Sequence, residues 1–188
     1  MEKELRNFLF AALVVLLLLA LLGALLRHYL HARRGAQVTW DDLLKRLVPV
    51  DRDNIARVAL DAIDASGNRR QDTGAFSLEP SAVWSLLGGL EGLKVLEQNC
   101  QVLVELAMYL QRWYPQALVV AEQMRLNARE IEWHVNRLKG AAQTGNLQAS
   151  FADYAQRAVV TYYLMTRHLL DLYEHASVPQ FAELQRAL

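Results

Sequence analysis

A single cysteine, Cys100, stands in 188 residues. That removes an internal disulfide framework and any cysteine-rich metal site from consideration, and it suits a reducing compartment. Short catalytic signatures are missing too. There is no Gly-x-Ser-x-Gly elbow, no phosphate-cradling glycine loop ending in Gly-Lys-Ser or Gly-Lys-Thr, and no His-Glu-x-x-His. The Glu-x-x-His pairs with which helical bundles hold metals are absent as well. Neither sign of charge is in excess: 20 Lys and Arg face 20 Asp and Glu. The balance is uneven along the chain, because the first 35 residues carry five Lys and Arg against two Glu, a net +3 that leaves −3 for the rest. An acidic remainder without basic clusters argues against a nucleic-acid surface, which needs Lys and Arg to displace phosphate counterions. No nucleic-acid partner is expected.

What the chain does have is an apolar run at 8–26, FLFAALVVLLLLALLGALL, nineteen residues without a charge or a proline. As an α-helix it would measure roughly 28 Å, the hydrocarbon thickness of a bilayer. The run predicts a transmembrane helix. The tail before it, 1–7, has side-chain charges that cancel, whereas Arg27, Arg33 and Arg34 follow it closely, with Tyr29 as an interfacial aromatic. The positive-inside rule places that basic flank, and the soluble part after it, in the cytoplasm of a single-pass protein in a bacterial inner membrane or a plasma membrane. A cleaved secretory signal would reverse that, but a neutral start, a long apolar core and no Ala-x-Ala before Arg33 speak for a retained anchor. Ala20, Gly23 and Ala24 form a loose small-residue face at which two such helices could approach.

Residues 27–38 read as a basic juxtamembrane linker and 39–188 as an α-helical bundle. Thr39 and Asp42 resemble a capping pair for a short helix over 40–47, whose Trp40, Leu43, Leu44 and Leu47 share a face that either packs on the bundle or lies on the membrane. Asp51 caps a helix over 52–65 with Ile55, Val58, Ala59, Ala62 and Ile63 on one stripe. The polar stretch 66–77 reads as an exposed loop, and its Arg69 and Arg70 as solvated rather than phosphate-binding. Pro80 opens a further helix in which Trp84, Leu86 and Leu87 begin an apolar face. Gly88, Gly89 and Gly92 then call for a kink or a close helix crossing.

Three long helices follow. Leu93, Leu96, Cys100, Leu103, Ala107 and Leu110 step by three and four; Tyr114 and Pro115 stop that helix. Ala117, Ala121, Met124, Ala128, Ile131, Val135 and Leu138 continue the pattern, and a turn is expected at 140–146. Phe151, Tyr154, Ala158, Met165 and Leu172 mark the third, widened by Val159, Tyr162 and Leu169. Stripes this wide bury against more than one neighbour. The expected fold is all-α: a single N-terminal transmembrane helix, then an antiparallel bundle of three long helices and shorter ones, closed by a helix over 180–188 with Phe181 and Leu184.

Candidate chemistry is thin. His168, Asp171 and His175, spaced i, i+3, i+7, bring metal-ligating side chains near one helical face, yet no second helix offers a matching pair beyond Glu130 and His134. His168 reads as a seam or boundary residue and His175 as a favourable cation at a helix C-terminus. Cys100 reads as core. The sequence therefore predicts no cofactor, no catalytic residue, and an anchored, non-enzymatic module that engages a protein partner or a second copy besides the lipid bilayer. A ligand- or metal-binding bundle is the alternative, for which Arg125, Arg129, His134, His168 and Asp171 would have to converge on a pocket.

Overall fold

The computed structural model describes residues 15, 16, 19, 22, 23, 39–63 and 77–188. The chain divides into two compact units, Met1–Val38 and Thr39–Leu188. In the first, Val15, Leu16, Leu19, Leu22 and Gly23 are helical and exposed. The rest of the expected span 8–26, and with it Ala20, Ala24, Arg27, Tyr29, Arg33 and Arg34, lies outside the described residues, as do Arg69 and Arg70. Among the described residues no helix is long and apolar enough to cross a membrane.

The described residues of the second unit form helices only: α1 (Trp40–Arg46), α2 (Arg52–Asp61), α3 (Pro80–Leu87), α4 (Gly89–Leu110), α5 (Ala117–Gln143), α6 (Leu147–His175) and α7 (Phe181–Ala187). Local chemistry sets the starts. The Thr39 hydroxyl accepts from the Asp42 amide at 3.3 Å, and the Asp51 carboxylate accepts from the Asn54 amide at 3.0 Å, so each cap satisfies a donor the first turn would otherwise orphan.

Three long helices, α4, α5 and α6, form the frame. Lys139 near the end of α5 reaches Glu97 near the start of α4 at 3.1 Å, while Arg125 in the first half of α5 meets Met108 near the end of α4, so these two run antiparallel. His134 stacks near Tyr154 and Glu130 bonds Thr161, which sets α5 antiparallel to α6 as well. Asn99 with Tyr162, and the Leu106 carbonyl with the Tyr173 hydroxyl at 2.8 Å, place α4 and α6 parallel. The order is up, down, up, as the short connections require. Every residue of the α2, α4 and α5 stripes that the sequence predicts is buried, and on α6 only Tyr154 is half-buried. A fully buried Leu or Ile contributes about 1.5–3 kcal/mol, and these seams hold the unit together.

The short helices close the frame. Trp40 and Leu43 are buried, which settles the α1 face: it packs on the bundle, with Trp40 between Tyr109 and Tyr173 at ring separations of 5.8 and 5.7 Å and its indole N–H on Glu183 of α7 at 2.6 Å. Arg52 donates to the carbonyls of Gln185 (3.0 Å) and Arg186, so α2 holds the C-terminal helix from the other side. At the opposite end the Asp61 carboxylate accepts from the Ser77 and Leu78 amides at 3.0 and 3.1 Å, the Ser77 hydroxyl and the Gln156 amide at 3.1 Å. One carboxylate thereby closes the base of the 62–78 connection onto α6.

Several expectations need correction. The glycines do not kink one helix. Gly88 and Gly89 both take positive φ (70° and 66°), α3 ends at Leu87 and α4 starts at Gly89, so the chain breaks. The close approach is real but local: a Cβ on Gly92 would lie 1.7 Å from the Leu87 carbonyl oxygen. Trp84 is exposed rather than central, packing one face on Phe151 at 4.5 Å, and Val83 takes the buried place beside Leu87. The first long helix ends at Leu110, and α5 continues through Gly140 to Gln143, later than the composition of 140–146 suggests.

Candidate functional site

His168, Asp171 and His175 do share a face of α6. They line a shallow cleft of about 490 Å³ opposite Tyr114, Gln116, Val119, Val120 and Gln123. All three are exposed, which corrects the seam or boundary placement of His168. His175 stands in the last turn of α6, as expected, its Nδ1 lying 2.6 Å from the Asp171 carbonyl oxygen. Among the described residues no group of three His, Cys, Asp or Glu side chains is close enough to hold a metal ion.

The other residues a pocket would need do not converge on this cleft. Arg125 pairs with Glu122 and with the Met108 sulfur, on the α4 side of α5. His134 is buried between Trp133 and Tyr154, with Nε2 at 3.5 Å from Glu130 and Nδ1 without a hydrogen-bond partner. Cys100 is buried in the α4 seam. Burial pushes its thiol well above the ordinary cysteine range, Glu97 adding in the same direction, so the nucleophilic thiolate is disfavoured.

A different surface is built for contact. The α5 helix packs on α4 and α6 with its predicted seam, and away from that seam it carries a second apolar row, Val119, Leu126 and Trp133, 74, 57 and 49% exposed, whose ends border α6 where Val119 lines the cleft and Trp133 meets Tyr154. These stand at i, i+7 and i+14, one above another along the helix. Trp133 is held in place on one side by Tyr154, edge-on at 5.9 Å, and by the Arg137 guanidinium over its ring at 5.1 Å. Exposed Glu122, Arg129 and Arg137 flank the row with both signs of charge. Reading the sequence for one stripe per helix overlooks this second row. Its only signal is the step of seven, because the intervening residues are polar.

The chain matches no protein-family model, no curated protein and no solved structure.

Proposed function

We propose that this chain is a single-pass membrane-anchored interaction module: residues 8–26 span the bilayer, 27–38 form a basic linker, and the bundle 39–188 engages a partner protein or a second copy in the cytoplasm without catalysing a reaction. The anchor rests on the length and apolarity of 8–26 and on the neutral front and basic rear of its flanks. Lipid headgroups would be met by Arg27, Tyr29, Arg33 and Arg34. The observation that carries the interaction role is the open face of α5. Three large apolar side chains at heptad spacing, each worth about 1.5–3 kcal/mol when fully buried, suit a helix laid alongside them.

The test is co-purification of the full chain from detergent-solubilised membranes, with crosslinking, beside Leu126→Glu. The wild type should come down with a partner or a second copy, and the charged variant should lose it while keeping its helical content. Recovery of the wild type as an isolated monomer would overturn the reading.

A further inference from the structure

The end of the bundle at which Thr39 enters is also the end at which the most exposed tryptophan among the described residues stands. This end is formed by the C-termini of α4 and α6, the N-terminus of α5 and the first turn of α1. Trp113, in the turn between α4 and α5, is 60% exposed, and Leu118 and the outermost residue of the α5 row, Val119, follow it into the first turn of α5. The Trp113 ring lies edge-on to Tyr109 at 5.1 Å, and Tyr109 in turn packs on Trp40, the first residue of α1. Arg112, beside Trp113 in sequence, holds its guanidinium 4.6 Å from the Tyr109 ring centre.

We infer that this end, through Trp113 and Leu118, docks on the surface of a lipid bilayer. The inference rests on the proposed anchor, and three observations favour lipid as the occupant. First, twelve linker residues, 27–38, join the apolar run to Thr39; fully extended they reach roughly 40 Å, so this end stays within reach of the membrane that the run would span. Second, an indole with an apolar body and one N–H is the side chain that bilayer interfaces favour. Third, Trp40, the other tryptophan near the entry point, is buried with its N–H spent on Glu183, so it is not free for the lipid. Asp41 and Asp42 open α1 at the same end, so the attraction lies in apolar area and ring insertion rather than in charge. The docking should therefore vary little with salt.

The test reconstitutes the full chain into phosphatidylcholine vesicles with lipids brominated high on the acyl chain, and reads tryptophan quenching for the wild type, Trp113→Phe and Trp133→Phe. An alkaline carbonate wash of the same vesicles reports whether the chain is anchored. The expected result is a washed-resistant chain whose quenching mostly disappears in Trp113→Phe, persists in Trp133→Phe and is unchanged between low and high salt. A wash-resistant chain in which Trp113→Phe quenches as fully as the wild type overturns the docking and leaves the anchor standing. A chain stripped by the wash overturns both.

Discussion

The side-chain amide of Asn99 pairs with both backbone groups of Val48. Its Oδ1 accepts from the Val48 N–H at 2.9 Å and its Nδ2 donates to the Val48 carbonyl at 2.8 Å. Asn99 is buried on α4, and the same Nδ2 lies 3.4 Å from the Tyr162 hydroxyl on α6. One amide thus fixes the connection between α1 and α2 against the frame, in the way a neighbouring strand would. Removing it leaves both backbone groups of Val48 short of a partner. Asn99→Leu should cost about 2–4 kcal/mol, read as a lowered denaturation midpoint of the full chain in detergent. A change within about 0.5 kcal/mol would mean that water replaces the amide without loss.

Which parts of this architecture could be read from the sequence follows from the range of the interactions involved. The α2, α4 and α5 seams were legible because helical period and burial are one signal: Leu93 through Leu110 repeat at the spacing that puts them on one face. Asn99 sits in that helix with no mark of its own, since its partner is 51 residues away in the chain. The same limit applies to the tryptophans. Trp40, Trp84, Trp113 and Trp133 are alike locally, and it is contacts distant in the chain, with Tyr173 of α6 and Glu183 of α7, that help to cover Trp40 while Trp113 stays open. Nor can a period reveal whether a face is partnered. Ala121 and Leu126 both repeat along α5, yet the smaller one is core and the larger one is open. Among the described residues α5 packs chiefly on α4 and α6, and its row of Val119, Leu126 and Trp133 stays exposed.

Two glycines in helices should respond oppositely to alanine. A Cβ on Gly92 would sit 1.7 Å from the Leu87 carbonyl oxygen, which is backbone and cannot swing aside. Gly140, inside α5, has nothing within 4 Å of that position. Gly92→Ala should destabilise by about 1–3 kcal/mol or more, through forced separation of α3 from α4. Gly140→Ala should stabilise by about 0.5–1 kcal/mol through helix propensity. Thermal unfolding of both variants decides it, and the sign of each change is the measurement that matters.

Ser177 ends α6 with φ of 51°, the one positive value among the described non-glycine residues, and its N–H bonds the Glu174 carbonyl at 3.0 Å. It occupies the left-handed position that helix C-termini normally give to glycine. Its side chain forms no hydrogen bond in that role, so the conformation costs strain without return. Ser177→Gly should raise stability by about 0.5–1 kcal/mol, and Ser177→Val should lower it by a comparable or larger amount. Equal midpoints for the two variants would show that the turn relaxes to another conformation.

The buried phenols make the bundle sensitive to alkali, and the direction can be worked out. Burial pushes the Tyr162 hydroxyl up to about 12, against a smaller opposing effect of the Asn99 hydrogen bond, and burial raises Tyr173 likewise, with Tyr109 adding to it. In the unfolded chain both titrate at about 10. Below that pH both states keep the proton and the phenols favour neither. Above it the unfolded chain releases protons that the folded chain retains, so unfolding gains and stability falls as pH climbs from about 10 toward 12, by up to about 1.4 kcal/mol per pH unit for each group. Tyr162→Phe should therefore flatten the decline, because the ring stays and the titrating oxygen goes. Urea midpoints of the full chain, taken at intervals between about pH 9 and 12, should run more nearly level for this variant than for the wild type. Parallel declines would assign the alkaline loss to groups other than Tyr162.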